Sequence, residues 1–431
     1  MDPLDGIRLE IDDIDTRLAR LFEERMDKVA ELWEYKRSQG LPILDAARER
    51  RVLERTSACV RNPGLRPLHR EFQRELMRLG RSLQEGLSDP EGTLRVRADG
   101  ADYPVHIGSG ILSRACDLLH PDGKTLIVTD EGVPEAYLDT ICKLFPESPV
   151  VLLDQGEAGK SFDLAELIIS KLLEGGFTRS DCILALGGGK VCDLAGFAAA
   201  CYMRGIRWYA IPTTLLAQLD ASVGGKTAVN FGGIKNAAGA FHHPSGVLVD
   251  TALTQTLPPR LLHEGLAELI KIAAVCDSDL FQRLEAAPAE IPQDLLESFV
   301  REAVRLKAEV VSADPRDLGV RAALNFGHTI GHAVEALSHG ALLHGECVAI
   351  GMMYTSSGQA RERIEAMLRR WTLPTEDSFT PKELLQAAIH DKKASQGGVR
   401  MVLVQSPGEC RFELADQDKL LTIIEKRKNE E

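Results

Sequence analysis

The chain has 431 residues, 44% hydrophobic and 27% charged, with 51 Lys+Arg against 64 Asp+Glu and a formal net charge of −13. This length suits two or three domains, the composition is globular rather than disordered, and the acidic balance argues against nucleic acid or an anionic membrane as partner. No apolar run approaches the roughly 18 residues of a membrane helix. The acidic start MDPLDGIRLEIDD lacks the order of a secretory signal, and nine Cys without a C-x-x-C pair suit a reducing compartment, so a cytoplasmic protein is expected.

Residues 1–86 read as helical, Arg-rich and nearly free of Gly, with 87–92 (LSDPEG) as a linker. Ile7, Ile11, Ile14, Leu18 and Leu21 recur at 4-3-4-3 spacing, a seam for packing against other helices. The same register reaches Arg25, Leu32 and Lys36, which puts two cations about three turns apart on one face. Asp45, Arg48 and Glu49 follow the Gly40–Pro42 break and open a second helix. Taken alone, Arg25 and Lys36 also read as snorkelling side chains at a helix edge; with the second set they suit a small dianion, since desolvated charge must be paired.

This region resembles the all-helical chorismate mutase family at Arg8, Arg25, Lys36, Asp45, Arg48, Glu49 and Gln84. The resemblance implies that the cations grip the two carboxylates and the ether oxygen of chorismate during its rearrangement to prephenate. It also implies a dimer in which Arg8 reaches the partner's site. Gly80 stands where a small hydroxyl residue is common. The competing reading is an inactive dimerisation module, or one that senses chorismate or prephenate.

From 93 to 257, β-rich runs alternate with helical stretches: Thr125–Thr129, Pro149–Leu153, Cys182–Leu186 and Val247–Val249. The alternation predicts a Rossmann-like α/β domain, a parallel sheet with helices on both faces. Cys182–Asp193 (CILALGGGKVCD) reads as a buried strand and a glycine turn, then a helix through Gly196–Met203. Such a turn lets backbone approach a pyrophosphate, although three glycines alone also make a structural turn. Asp130 ends the first of these strands, and Gly156–Lys160 (GEAGK) follows the second. The polar stretch Pro212–Asn236 offers Thr213, Thr214, Asp220, Lys226, Lys235 and Asn236, a site lining unless it is a solvated loop, and Arg204 adds an anion contact.

From 258 to 431 the pattern is mostly helical, with a late strand pair near Val399–Val404 and Glu409–Leu414. Glu264, Glu268 and Lys271 share one helix, His328 and His332 lie four apart on another, and His344 follows. Two His and a carboxylate with open positions form the pattern of a catalytic zinc-type site. Spacing does not choose which His binds.

Residues 93–431 resemble the 3-dehydroquinate synthase family, most specifically in Thr213–Asn236, Leu257–Lys271 and Leu324–His332. The resemblance implies a divalent metal, Zn or Co, on Glu268, His328 and His344, with His332 as a substrate or proton-relay residue. It places substrate on Arg204, Asp220, Lys226, Lys271, Lys307, Arg321, Asn325 and Lys392. It places NAD on Asp130, Glu157, Lys160, Gly188, Gly189, Asp193, Thr213, Thr214, Lys235 and the turn Leu253, Thr254, Gln255, Thr256, with Asp220, Lys226 and Asn236 beside it. The implied activity is cyclisation of 3-deoxy-D-arabino-heptulosonate 7-phosphate to 3-dehydroquinate with loss of phosphate, by a homodimer. Lys190-Val191-Cys192 replaces commoner apolar residues and Gly, and Gly132 replaces an amide side chain. The rivals are another sugar-phosphate cyclase and a metal-dependent polyol dehydrogenase.

Overall fold

The computed structural model describes residues 3–39, 46–88, 93–156, 159–390 and 398–430. The chain divides into two compact units, Met1–Thr93 and Leu94–Glu431. Among the described residues no helix is long and apolar enough to cross a membrane.

The first unit holds α1 (Pro3–Ser38), α2 (Ala46–Ala58) and α3 (Arg66–Ser88). With Pro only at its start and Gly only at position 6, nothing breaks α1 over 36 residues. Helices α1 and α2 each pack on α3, and Trp33, Ser57, Met77 and Gln84 are buried. The expected seam behaves differently. Ile7, Ile11, Ile14, Leu18 and Leu21 keep 58, 50, 51, 47 and 58% of their surface exposed, so the stripe is not covered within one chain.

The second unit begins with β1 (Leu94–Ala98) and β2 (Ala101–Gly108), an antiparallel hairpin whose turn residues Asp99 and Gly100 both have positive φ. There follow α4 (Ala115–Leu119), β3 (Thr125–Asp130), α5 (Glu135–Leu144), β4 (Val150–Leu153), α6 (Phe162–Glu174), β5 (Cys182–Gly187), α7 (Gly189–Cys201) and β6 (Arg207–Pro212). A second hairpin, β7 (Lys226–Phe231) and β8 (Ile234–Phe241), precedes β9 (Gly246–Asp250). The main sheet runs β1-β2-β9-β6-β5-β3-β4, parallel except for β1. Along β5, Ile183 and Ala185 enter one core while Cys182, Leu184 and Leu186 enter another, as the two-residue period of a strand covered on both faces requires.

The expected parallel sheet is present, with differences. Helix α7 starts at Gly189 and ends at Cys201, because Met203 and Arg204 adopt positive φ of 49° and 69°. The polar stretch Pro212–Asn236 is not one loop: a π-helical turn (Ala217–Ala221) leads into β7 and β8. Strands β1 and β2 escape a reading based on long apolar runs because Arg interrupts the first and Asp and His the second.

The remaining elements are α8 (Pro259–Cys276), α9 (Ser278–Glu285), α10 (Gln293–Ala313), α11 (His328–Ser338), α12 (His344–Thr355), α13 (Gly358–Arg370), α14 (Pro381–His390) and α15 (Gln417–Glu430). The late strand pair forms as a hairpin, β10 (Val399–Ser406) and β11 (Glu409–Ala415). Two glycines bring three helices together. A Cβ on Gly351 of α12 would collide with the Gly327 carbonyl at the start of α11, and one on Gly345 with the Glu264 carbonyl of α8. Backbones therefore meet directly where the histidines and Glu268 stand.

Candidate active site

Glu268 lies on the buried face of α8 with no exposed surface. His328 opens α11 behind the left-handed cap Gly327, and His344 opens α12. Donor atoms of Glu268, His328 and His344 all lie within 4.8 Å of one another. The Nε2 atoms of His328 and His344 stand 3.8 and 3.7 Å from Glu268 Oε1, too far for hydrogen bonds. Both Glu268 oxygens are buried without a hydrogen bond, and the Lys271 ammonium lies against Oε2 as an ion pair. A buried carboxylate oxygen faced by two imidazole nitrogens fits a divalent ion. Burial, with the charge of Lys271, holds His328 well below its ordinary pKa, in the neutral form that can act as a ligand. Burial also lowers His344, but its bond to Glu335 and the carboxylates of Glu335, Glu268 and Glu264 outweigh this and raise it.

A second donor set overlaps the first, because His332, Glu335 and His344 also lie within 4.8 Å. Glu335 is nearly buried, with Oε2 3.4 Å from His344 Nδ1 and Oε1 accepting from Lys235 Nζ at 2.6 Å. Burial would raise the Glu335 carboxyl, yet His344 and Lys235 pull it down to about 2.

Beside Lys271 stands a second charged group. Lys307 on α10 is buried and pairs with the carboxylate and backbone carbonyl of Asp220 on the π-helical turn. Burial pushes the Lys307 amine down to about 8 against the pull of Asp220. Burial raises Asp220, but Lys307 and Lys271 reverse this and hold it far below the usual range. Lys271 is raised, because Glu268 and Asp220 outweigh its burial. Arg321 is buried and donates to the Pro315 and Gly224 carbonyls at 2.9 and 3.2 Å. Asn325 ends the same 3-10 turn, three residues before His328. Lys226 opens β7 and is held by Asp317 at 2.6 Å.

The carboxyl ends of β3, β5, β6 and β9 gather the nucleotide set. Gly188 caps α7 in extended conformation, so the helix N-terminus opens at this sheet edge. Thr213 and Thr214 follow β6, and a Cβ on Gly188 would press on Thr214. Buried Lys160 grips Asp193 and Asn236. Asp130 accepts from Gly132 N–H at 2.9 Å, and burial raises its carboxyl. After β9, Asp250 caps the 3-10 turn carrying Leu253, Thr254, Gln255 and Thr256. Lys190 is buried and donates to the Asp154 carbonyl at 2.7 Å.

Other expected residues fare differently. Arg204 is exposed and makes no ion pair with this cluster among the described residues, since its positive-φ turn points it to solvent. In the first unit, half-buried Arg25 donates to the Leu76 carbonyl at 3.0 Å, close to Gly80, and buried Gln84 donates to the Gly80 carbonyl at 3.1 Å. Arg8 pairs with Asp5 and is exposed. Arg8 and Arg25 sit on one helix, and the rise over the 17 residues between them is about 25 Å, so one chain does not bring them together. Lys36 and Glu49 are half-buried, and Arg48 is exposed. Asp45, Glu157 and Lys392 lie outside the described residues.

Sequence reasoning passed over Glu335 and Asp317. Glu335 falls three residues after His332 on the same helical face, a spacing present in the sequence.

The family profile described as 3-dehydroquinate synthase N-terminal matches residues 150–264, and its C-terminal counterpart matches 265–394. A 3-dehydroquinate synthase of Methylococcus capsulatus is 42% identical over 353 residues, which covers 76% of this chain and 97% of that protein. The chain belongs to the 3-dehydroquinate synthase family. It is an enzyme, and its first unit matches the chorismate mutase type II profile over 7–85. Among solved structures, 2-epi-5-epi-valiolone synthase from Streptomyces hygroscopicus, with NAD+ and Zn2+ bound, is 27% identical with a TM-score of 0.71 over 78% of this chain and all of that one. A 2-deoxy-scyllo-inosose synthase complexed with carbaglucose-6-phosphate, NAD+ and Co2+ shares the fold at 24% identity and TM-score 0.70, over 78% of this chain and 99% of that one.

Proposed function

We propose that the second unit converts 3-deoxy-D-arabino-heptulosonate 7-phosphate to 3-dehydroquinate and phosphate, using NAD and a divalent ion, Zn or Co. The observation that carries this reading is the buried Glu268 oxygen facing the Nε2 atoms of His328 and His344, set against the cluster of Lys271, Lys307 and Asp220. Glu268, His328 and His344 would hold the ion, and Asp130, Lys160, Gly188, Gly189, Asp193, Thr213 and Thr214 the nucleotide. When bound, NAD accepts and returns a hydride while the ion polarises adjacent substrate hydroxyls.

The chain's own residues supply the rest. Lys226, half-exposed, and Arg321, buried, suit the substrate phosphate and carboxylate by their cationic heads. Asp317, now on Lys226, is displaced when the phosphate arrives. Lys307, brought near neutrality by burial, exchanges a proton at low cost and holds Asp220 in place. His332, beside both other histidines, serves as the proton carrier. Buried Lys271 pairs with Glu268, and its charge helps hold the Asp220 carboxyl below its usual range. Full burial of Glu268 and near-full burial of Lys271 and Lys307 keep water from the reacting carbons.

The test is phosphate release from the heptulosonate, abolished by a chelator and restored by Zn2+ or Co2+, with no net NADH formed. Stoichiometric NADH would instead identify a dehydrogenase.

We further propose that the first unit isomerises chorismate to prephenate as a homodimer, Arg8 completing the partner's site. The uncovered apolar stripe on α1 and the separation of Arg8 from Arg25 support this reading. A protein that releases phosphate but leaves chorismate intact would reduce the helices to assembly or sensing, the reading that Gly80 favours.

A further inference from the structure

Glu335 has no part in the chemistry above, yet it joins two of its components. It stands on α11, seven residues after His328 and three after His332, with a side chain only 8% exposed. One oxygen lies 3.4 Å from His344 Nδ1, and the other accepts from Lys235 Nζ at 2.6 Å. The far nitrogen of the same ring, Nε2, looks at Glu268 Oε1 from 3.7 Å. The imidazole is thus held between two carboxylates, one on each nitrogen. A proton kept on Nδ1 by Glu335 leaves the Nε2 lone pair directed at the Glu268 side, and such an outer carboxylate also makes the ring a better ligand.

Lys235 belongs to a different part of the unit. It sits on β8 next to Asn236, which Lys160 grips together with Asp193, the fifth residue of α7. Polar contacts from Asp193 through Lys160 reach Asn236, the main chain of the strand joins Asn236 to Lys235, and polar contacts lead on from Lys235 through Glu335 to His344. Lys235 has a second effect. His332, Glu335 and His344 form a competing donor set, and an ammonium on Glu335 opposes a cation there.

We propose that Glu335 is a positioning residue for His344 and that, through Lys235, it couples the nucleotide site to the affinity for the divalent ion. The inference rests on the divalent-ion reading of Glu268, His328 and His344. Coupling of this kind is reciprocal, so NAD alters zinc affinity by the same factor as zinc alters NAD affinity.

The experiment is competition for Zn2+ between a chromophoric chelator and the full chain, without NAD and with NAD at saturation for each variant. It uses the wild type, Glu335→Gln, Glu335→Asp and Lys235→Met, with thermal melts of each. Glu335→Gln weakens Zn2+ binding by about 10- to 100-fold while still melting as a folded protein, and Glu335→Asp recovers part of that loss. The effect of NAD on Zn2+ affinity, present in the wild type, disappears in Glu335→Gln and Lys235→Met. Wild-type Zn2+ affinity in Glu335→Gln, or an NAD effect that survives Lys235→Met, overturns the inference. Should Glu335→Gln fail to fold, the half-exposed Lys235→Met decides the coupling alone. A wild type that binds no Zn2+ overturns the divalent-ion reading itself, and this inference falls with it.

Discussion

The two units handle charge in opposite ways. In the second, Glu268, Lys271 and Lys307 are buried, and they and the half-buried Asp220 are each paired within the same chain. In the first, Arg8 faces solvent about 25 Å along the helix from Arg25, and the apolar stripe from Ile7 to Leu21 stays uncovered. Buried charge must find its partner inside the fold or lose several kcal/mol. A surface half-site carries no such constraint and can wait for a second copy. On the proposed reading, the fusion joins a site that one chain assembles with a site that one chain leaves incomplete.

The largest expected effect comes from the assembled site. Glu268→Gln removes the shared carboxylate, and phosphate release should fall on the order of 10³-fold or more, measured by a coupled phosphate assay. Chorismate consumption should not change in this variant, and a parallel loss would show that the two units are not functionally separate.

In the first unit, Arg25→Ala should lower chorismate consumption about 10²- to 10³-fold with phosphate release intact. Mixing Arg25→Ala chains with Arg8→Ala chains sharpens the contrast. If two copies share each site, hybrids regain one working site from two inactive variants. If mixing restores nothing, the half-site account fails.

Smaller in size is the alkaline limit of phosphate release. Lys307 titrates at about 8, below the ordinary lysine, so it is cationic at pH 7 and loses its charge as pH rises through that value. A descending limb near pH 8 in kcat/KM is expected, moving upward in Lys307→Arg. A limb unmoved by that change would assign it elsewhere.

The smallest effect is at Gly80. Gly80→Ser adds a Cβ 3.3 Å from Arg25 Nη1, and the flexible end of that arginine can give way. We expect a few-fold gain in chorismate turnover together with a stability gain of about 0.5 kcal/mol or less from replacing a helix-interior glycine by serine. A loss of turnover would show that Arg25 needs that space.

The legible parts of the molecule are those in which local pattern and fold agree. Strand β5 and the glycine turn were readable because a strand covered on both faces is continuously apolar and the glycines mark its end. The span of α1 was readable from its periodicity. The β7–β8 hairpin was not, since its residues mix polar and small ones without strand-like alternation and its Gly232-Gly233 turn resembles loop punctuation. The overlap of two histidine donor sets was also out of reach. It depends on where α8, α11 and α12 meet, and no spacing within one helix encodes that meeting. Arg204 shows the opposite limit: a residue picked out by its motif, whose side chain one chain leaves in solvent.

The glycines at 345 and 351 set the tolerance of the site in a further way. Donor spacing there is fixed by main chain pressing on main chain, and not by side chains that can change rotamer. Repacking elsewhere in the core can absorb a methyl group, but these two crossings have nothing to yield. A saturation library at either position, placed in cells that lack this activity and selected for growth with none of the product supplied, should return glycine alone. Alanine, the mildest substitution available, should be rejected as firmly as tryptophan.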